Sequence, residues 1–393
     1  MKPTAIIAGG GIGGLAAAGA CMRAGWQAQL HERAEDFGEL GAGVQLGPNV
    51  TRVMHEWGLA GGLRAVAAFP AALRVSSAHD NTPLGFMKLG EDFVRRYGAP
   101  YATIHRADLL GMMLALARHE GVDLKVSSPI TSVLDTGDAV RARVADRYDL
   151  EGDALVAADG LWSRIRSHVC GDGAPVSSGH VAYRGLVAQK DLPQRMRSQD
   201  INVWLGSMLH VVAYPVLRGE ELNVVAIVQG RARGSHQDWN QDAAEAQLYA
   251  AMQSSPVVNE LVQAIGAWRM WALNDREPVQ GAQQMARGRV ALVGDSAHPM
   301  LPFFAQGAGM AIEDAAELGR MLATVPHAGA DTPLALRRYA MNRWQRCARV
   351  QKRSRGNGDI FHATGFMQWG RDLAMRLLGD RLLDQPWLYG YGR

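Results

Sequence analysis

A glycine-rich loop near the amino terminus constrains the fold of this chain more than any other feature. The apolar run Ala5–Ala8 leads into Gly9-Gly-Gly-Ile-Gly-Gly14, and an alanine-rich segment follows. This order of strand, tight turn and helix is typical of a βαβ unit. There the glycines let the backbone approach a pyrophosphate, and the N–H groups at the start of the helix bind the phosphates. The spacing of Gly9, Gly11 and Gly14 therefore predicts a dinucleotide-binding fold.

The residues after this loop complete the pattern. A second strand is predicted at Gln27–His31, and Glu32 follows it, eighteen residues after Gly14. A carboxylate at this position can accept a hydrogen bond from a ribose hydroxyl. Glu32 is therefore predicted to bind the nucleotide. The fingerprint fits both NAD and FAD, so the choice between them requires evidence from elsewhere in the chain.

Size and composition indicate an ordinary globular protein. The chain has 393 residues, of which 48% are apolar and 20% charged. Because single cores stop growing at about 250–300 residues, a second domain is expected. The net charge of +3 is too small to indicate a nucleic-acid partner. The three scattered cysteines favour neither a metal site nor a disulfide framework. This use of cysteine makes a reducing cytoplasm the expected location. No signal sequence or membrane span is predicted.

The middle and the carboxyl-terminal part of the chain carry two further patterns. A long basic helix is predicted at Leu334–Arg355, either with a solvated face or with a basic docking surface. A separate antiparallel sheet is predicted from successive apolar runs. These runs are Val181–Gln189, Asn202–Trp204, His210–Val216 and Asn223–Gln229.

A second glycine loop distinguishes between the two dinucleotides. The strand Arg289–Val293 ends at Gly294-Asp295, and Gly307-Ala308-Gly309 opens a predicted helix that runs to Leu322. A carboxylate at Asp295 can bind a ribityl hydroxyl, and a helix amino terminus stabilises negative charge on a reduced ring. This segment resembles the second FAD signature of the aromatic-hydroxylase family. These single-component flavoprotein monooxygenases include salicylate, 3-hydroxybenzoate and 6-hydroxynicotinate hydroxylases.

Other motifs match the same family in the same order. The segment from Asp159-Gly160 to Arg166 resembles its Asp-Gly motif, which the family uses near the FAD pyrophosphate and for the nicotinamide cofactor. Smaller matches are Glu32-Arg33, Gly41–Val44 and Ile104–Leu110, and the resemblance implies that Arg33 binds the cofactor. The family uses the arginine corresponding to Arg106 to hold the flavin; the alternative is an ordinary surface arginine at the start of a helix.

The resemblance implies a reaction as well as a fold. FAD is reduced by NADH or NADPH, oxygen is captured as a flavin C4a-hydroperoxide, and one oxygen atom is transferred to a small phenolic or hydroxy-heteroaromatic substrate. A salicylate- or hydroxybenzoate-type acid is the best match. Water has to be excluded from the site around the flavin, because otherwise the oxygen is lost as peroxide. The expected partners are thus the aromatic substrate, O2 and NAD(P)H, without nucleic acid or membrane, for a monomer or homodimer.

A histidine and a tyrosine on one predicted strand are candidates for the substrate chemistry. His210 and Tyr214 are four residues apart, so on a strand both side chains face the same side. We expect His210 to act as the base that draws off a phenolic proton and Tyr214 to orient the substrate. The alternative is a half-buried strand whose polar groups are satisfied internally.

Four further positions have expected roles near the flavin. The resemblance places Pro302 beside the flavin edge. Gln45 and Asn49 are expected to line the flavin or the substrate. His298 either shapes the flavin loop or contacts substrate.

Together these features predict an α/β protein with a Rossmann-like FAD-binding domain. An inserted substrate domain is built on the antiparallel sheet, and a C-terminal helical segment follows. The alternatives are another flavoenzyme of this fold, such as a halogenase or reductase, and a flavin-loaded binding protein without turnover. A NAD-dependent dehydrogenase is disfavoured by the second glycine loop. The predicted domains are 1–75, 101–178 and 274–330 for FAD, 76–100 and 179–273 for substrate, and 331–393 for the helical region.

Overall fold

The computed structural model describes residues 2–38, 43–145, 147–230, 241–242, 245–253, 255–325, 327 and 331–392. Gly41 and Ala42 of the Gly41–Val44 match lie outside these residues. The strands are β1 (Thr4–Ala8), β2 (Gln27–His31), β3 (Gly43–Leu46), β4 (Ala72–Ser77), β5 (Pro83–Lys88), β6 (Ala102–His105), β7 (Asp123–Lys125), β8 (Ile130–Asp135), β9 (Val140–Val144), β10 (Arg147–Gly152), β11 (Ala154–Ala157), β12 (Val176–Ala188), β13 (Ile201–Leu205), β14 (Leu209–Val216), β15 (Glu221–Gln229), β16 (Gln241–Asp242), β17 (Arg269–Asp275), β18 (Ala286–Arg287) and β19 (Val290–Leu292).

Helices connect and cover these strands. They are α1 (Ile12–Arg23), α2 (Pro48–Glu56), α3 (Ala60–Val66), α4 (Glu91–Tyr97), α5 (Arg106–His119), α6 (Arg166–Val169), α7 (Glu245–Met252), α8 (Pro256–Gln263), α9 (Gly307–Leu322), α10 (Asp331–Phe361), α11 (Gly365–Leu378), α12 (Asp380–Leu383) and α13 (Pro386–Tyr389). None of the described helices is both long and apolar enough to cross a bilayer.

The first compact unit comprises residues 1–39, 107–176 and 275–354. Its main sheet has the strand order β18-β19-β11-β1-β2-β7. The β1, β2, β7, β11 and β19 pairings are parallel, and β18 is added antiparallel to β19. The first three elements, β1, α1 and β2, form the predicted βαβ unit. Small residues let helices pack closely over this sheet: a Cβ added at Gly319 of α9 would lie 3.0 Å from Cβ of Ala20 in α1.

The second compact unit comprises residues 40–106, 177–274 and 355–393. Its large sheet has the order β16-β17-β12-β15-β14-β13-β4-β5, and β3 pairs with β6 in a separate ribbon. The sheet is mostly antiparallel, as predicted, but β13 pairs in parallel with β4. The sheet therefore takes in residues from 72 onward, whereas the predicted substrate domain begins at 76. The functional division into FAD and substrate domains remains a prediction.

The two faces of this large sheet differ in chemistry. Alternate residues of β14 and β15, such as Val211, Ala213 and Val224, join a buried apolar cluster that includes residues of α7 and α8. The intervening residues lie on the opposite face because side chains alternate along a strand. Among them are His210, which is 2% exposed, and Tyr214, which is 4% exposed. We call this opposite face the polar face.

Candidate active site

The first glycine loop has the close approaches that its spacing predicts. Gly9 has φ +105°, and a Cβ there would lie 2.5 Å from the carbonyl oxygen of Ala158. A Cβ at Gly14 would collide with the Gly9 carbonyl, so α1 packs directly on the loop. At Gly11, by contrast, no atom lies within 4 Å of an added Cβ. Gly9 and Gly14 therefore shape the loop, while Gly11 faces open space that a pyrophosphate can occupy.

Glu32 holds the loop from the end of β2. One carboxylate oxygen accepts the N–H of Gly10 at 2.6 Å, and the other accepts the N–H of Ala34 at 2.8 Å. Since each carboxylate oxygen has two acceptor positions, these bonds leave capacity for a ribose hydroxyl. Glu32 is half-buried and the neighbouring Arg33 is exposed. Glu32 thus lies where the fingerprint requires a carboxylate.

The second glycine loop follows β19 in the same unit. Asp295 lies in a 3-10 turn, Gly294–Ser296, and its side chain is exposed. Helix α9 begins at Gly307, as predicted, with Ala308 and Gly309 in its first turn. A Cβ at Gly307 would have no atom within 4 Å. There is therefore open space beside Gly307, and the N–H groups at a helix amino terminus can stabilise negative charge on a group bound there. Pro302 opens a short 3-10 turn, Pro302–Phe304, and is exposed.

Ser296 links the Asp159 motif to the second loop, a connection that sequence reasoning missed. Its hydroxyl donates to Oδ1 of Asp159 at 3.1 Å and accepts the N–H of Gly160 at 2.9 Å. The other oxygen of Asp159 accepts the N–H of Arg164 at 2.9 Å. The carbonyl oxygens of Ser296 and Ala297 accept hydrogen bonds from Arg166 at 2.7 and 2.6 Å. These hydrogen bonds therefore connect the two motifs within the first unit.

A buried ion network lies behind the second loop. Asp314 accepts the N–H of Gly294 at 2.9 Å, His298 Nε2 at 2.5 Å and Arg343 Nε at 2.7 Å. Burial opposes ionisation, but His298 and Arg343 keep the pKa of Asp314 below its usual range. In the same way, Asp314 and Cys347 overcome burial and raise the pKa of His298 well above its usual range. His298 thus supports the flavin loop, which favours the first of its two expected roles.

This network also corrects the interpretation of the basic helix. Arg343 and Arg346 of α10 are buried and pair with Glu313 at 2.7 Å, so they belong neither to a solvated face nor to a docking surface. Within the described part of the chain, His298, Asp314 and Cys347 form a grouping with metal-ligand chemistry. A protonated histidine has no lone pair for a metal, and Asp314 already forms an ion pair with Arg343. We interpret the grouping as an ion-pair network.

In the second unit, Gln45 and Arg106 lie at the β3–β6 ribbon. Gln45 pairs with Thr103 across the ribbon, and Arg106 directly follows β6 at the start of α5. Oε1 of Gln45 accepts the hydroxyl of Tyr101 at 2.9 Å. The predicted contact of Arg106 with a flavin remains a prediction.

Tyr214 packs against this same ribbon. A Cβ at Gly43 would collide with the Tyr214 ring, and Asn223 Oδ1 accepts the Gly43 N–H at 2.7 Å. Burial raises the pKa of Tyr214, so its hydroxyl stays protonated and can donate a hydrogen bond. The structure thus places the Tyr214 ring against β3, the strand that carries Gln45, with Asn223 as a contact that the sequence pattern did not reveal.

His210 lies on the polar face and has a histidine partner. Its Nδ1 is 2.8 Å from Nε2 of His362, which follows α10. Burial, together with His362 and His180, lowers the pKa of His210 well below the usual histidine value. His210 is therefore neutral at neutral pH and able to accept a proton. No sequence signal identified His362, because it is 152 residues away along the chain.

The first unit contains the features that FAD requires. Two glycine loops face open space, a carboxylate follows β2, and another carboxylate follows β19. Gly9, Gly11, Gly14 and Glu32 have the chemistry to hold the adenosine half and the pyrophosphate. Asp295 and the start of α9 have the chemistry to hold the ribityl chain and the flavin ring. The donor set and the open cradle at Gly11 fit the cofactor.

Comparisons with known proteins agree with these features. Residues 2–354 match a family model described as an FAD binding domain. The chain is 38% identical to 3-amino-4-hydroxybenzoate 2-monooxygenase of Streptomyces platensis, covering 99% of this chain and 96% of that protein. It is 36% identical to 3-hydroxybenzoate 6-hydroxylase of Polaromonas naphthalenivorans, covering 98% and 95%.

A solved structure extends the comparison to the fold. A salicylate hydroxylase substrate complex superposes with a TM-score of 0.83 at 25% identity, covering 99% of this chain and 96% of that chain. The predicted fold class and the prediction of FAD are thereby confirmed. The chain belongs to the FAD-binding family of aromatic hydroxylases, whose named members here are monooxygenases.

Proposed function

We propose that this monooxygenase uses NADH or NADPH and O2 to hydroxylate a small phenolic or hydroxy-heteroaromatic acid, most closely of the hydroxybenzoate type. The relatives named above act on hydroxylated benzoates, which supports this substrate class. FAD, when bound, supplies the redox chemistry that activates oxygen. The residues of this chain have to bind it, exclude water, and prepare the aromatic ring. The proposed compartment is the cytoplasm, and the proposed state is a monomer or homodimer.

The observation that carries the proposal is the neutral, buried imidazole of His210. A phenol with a pKa near ~10 is mostly protonated at neutral pH and is a weak carbon nucleophile. A neutral histidine that accepts its proton makes the ring more electron-rich. We assign this step to His210 and the orientation of the substrate to the hydroxyl of Tyr214. Both side chains lie on the polar face and are almost fully buried, which favours exclusion of water.

Binding of the flavin is assigned to the residues described above. Gly9, Gly11, Gly14, Glu32, Arg33 and Asp159 would hold its nucleotide half. The remaining positions would contact the ribityl chain and the ring. They are Gln45, Arg106, Asp295, Pro302, Gly307, Ala308 and Gly309.

The position of Arg184 supports the proposal that the substrate is an acid. Arg184 and Val212 both pair with Val225 of β15, so Arg184 shares the polar face with His210 and Tyr214. It is 3% exposed, and its guanidinium carbon lies 5.3 Å from the centroid of the Trp271 ring. A buried guanidinium matches a carboxylate in charge and in hydrogen-bond geometry. Arg184→Gln is therefore expected to raise the KM for 3-hydroxybenzoate more than that for uncharged resorcinol.

The test is a substrate panel with FAD-loaded protein. Hydroxybenzoates, hydroxypyridine acids and their uncharged analogues are incubated with NADH or NADPH, and hydroxylated product, hydrogen peroxide and consumed cofactor are measured together. At least one hydroxylated acid should give nearly one product per NAD(P)H. If every acid only accelerates peroxide formation, or if uncharged phenols are the coupled substrates, the proposed substrate class is wrong.

A further inference from the structure

Three histidines of the second unit lie in a row. His210 on β14 is hydrogen-bonded to His362 at 2.8 Å, and the ring centroids of His362 and His180 are 4.9 Å apart. His210 and His362 are buried, whereas His180 on β12 is half-buried. We call these three residues the histidine chain. It runs from the buried candidate base toward a more accessible position.

Hydrogen bonding determines which nitrogen of His180 carries the proton. His180 Nδ1 lies 3.0 Å from the carbonyl oxygen of Ser178. Because a carbonyl oxygen only accepts, Nδ1 of His180 carries the proton, and Nε2 has the lone pair. The ring centroids of His180 and His362 are 4.9 Å apart, so one water molecule between the rings can carry a proton to this lone pair. His180 can therefore act as the outer acceptor of the chain.

A buried base needs a route by which the proton that it accepts can leave. Burial lowers the pKa of His210, so an imidazolium formed there is unfavourable and the accepted proton has to leave. When both rings are neutral, the hydrogen bond between His210 and His362 contains one proton. If His210 Nδ1 carries it, His210 Nε2 is free of a proton and can act as the base. His362 therefore determines which tautomer His210 adopts.

We propose that the histidine chain carries the substrate's phenolic proton from His210 through His362 and His180 to solvent. The inference rests on the proposed function, because it takes His210 as the base. The phenolic O–H bond breaks and an N–H bond forms at His210 Nε2. The proton on His210 Nδ1 moves to His362 Nε2, and the proton on His362 Nδ1 moves to His180 Nε2. His180, now protonated on both nitrogens, releases one proton to solvent. Only protons move: the substrate loses one and solvent gains one.

The charges around the histidine chain favour movement of the proton from His210 toward His180. Burial, His180 and Arg371 of α11 lower the pKa of His362 to about 3, so His362 holds an extra proton only transiently. Burial also lowers the pKa of His180, but the Ser178 carbonyl and the carboxylate of Asp359 on α10 oppose this effect. The aromatic ring beside His210 is Phe361, which is uncharged. The carboxylate of Asp359 thus acts on His180, at the outer end of the histidine chain.

The experiment follows proton release when FAD-loaded protein binds 3-hydroxybenzoate, or the acid that the panel identifies. A pH indicator in weak buffer reports the release rate by stopped flow. His362→Gln keeps an acceptor for His210 Nδ1 but cannot relay a proton, and His180→Gln blocks the outer step. Both should slow release about tenfold or more, while KM changes less than about twofold. The control is His119→Gln, which removes an exposed histidine at the end of α5.

Chemical rescue distinguishes a relay from a structural role. Imidazole in solution should restore proton release in His180→Ala, whereas pyrazole, a much weaker base, should not. Wild-type release rates in both glutamine variants, or rescue that does not depend on the added base, would overturn the histidine chain. If His362→Gln does not fold, the half-buried His180 variants decide the question by the same readout.

His210→Ala separates the two hypotheses. If this variant keeps coupled hydroxylation, the proposed function of His210 is wrong. If it loses hydroxylation while the His362 and His180 variants behave as wild type, only the relay is wrong.

Discussion

The hydroxyl of Ser296 donates a hydrogen bond of 3.1 Å to Oδ1 of Asp159. Through this bond and the N–H of Gly160, the segment after β19 is fastened to the segment after β11. These two strands are adjacent in the sheet. Ser296 therefore positions Asp159 and its loop relative to Asp295, so the proposed cofactor contacts at the ends of both strands depend on it.

Ser296→Ala should weaken FAD binding without unfolding the protein. Loss of this hydroxyl removes two hydrogen bonds, each contributing about 1 kcal/mol, so an affinity decrease of about five- to thirtyfold is expected. Fluorescence titration of apoprotein with FAD measures it. The control is Ser167→Ala, which removes an exposed hydroxyl of α6. Equal affinities for both variants would show that the link is unimportant.

Two glycines of the first loop should respond differently to alanine. In Gly11→Ala the added methyl meets no protein atom and φ is −71°, so the apoprotein should keep its melting temperature while FAD affinity falls by at least tenfold. In Gly14→Ala the methyl collides with the Gly9 carbonyl, so stability should fall as well. Thermal denaturation with and without FAD measures both effects. Unchanged FAD affinity in Gly11→Ala would place the pyrophosphate elsewhere.

Asp314→Asn should destabilise the first unit. The substitution removes the charge that compensates His298 and Arg343, and breaking one buried pair costs about 3–5 kcal/mol. Denaturant unfolding of the apoprotein measures the change. Asp138→Asn, an exposed substitution in the loop after β8, is the control and should be neutral. A difference below about 1 kcal/mol between the two variants would contradict the described network.

The histidines of the second unit should make stability fall in mild acid. His362 has a folded pKa of about 3, below its unfolded value of about 6.5, so the unfolded chain binds more protons as pH falls from about 6.5 toward 3. Its contribution to stability is therefore present above pH 6.5 and is lost with decreasing pH. His362→Gln should flatten the slope of unfolding free energy by about 1.4 kcal/mol per pH unit between pH 6 and 4. An unchanged slope would show that His362 is not kept neutral.

Local sequence patterns predicted the elements that follow directly from backbone chemistry. The βαβ unit, the buried strand before Asp295 and the helix that begins at Gly307 are confirmed in the structure. The reason is that glycine spacing, apolar runs and strand ends depend on residues close together in the chain. The roles of His210, Tyr214 and the cofactor-binding residues remain predictions.

Long-range partners could not be predicted in the same way. Ser296 is 137 residues from Asp159, and His362 is 152 residues from His210. No periodicity connects positions so far apart, and a serine or histidine alone has many ordinary roles. The buried pairing of Arg343 and Arg346 was missed for a similar reason. An arginine in a helical pattern usually indicates a solvent-exposed position. Here the acidic pair Glu313 and Asp314 on α9 reverses this expectation, because the two arginines are buried against it.

The most direct test of the account is the amount of product formed per NADH consumed by His210→Ala, using the best acid of the panel. Loss of the base should lower the hydroxylation rate by about 10²–10⁴-fold while NADH is still oxidised, so hydrogen peroxide should replace product. Tyr214→Phe, which loses one hydrogen bond of about 1 kcal/mol, should show a smaller decrease. If His210→Ala still forms nearly one product per NADH at the wild-type rate, His210 is not the base and the account is contradicted.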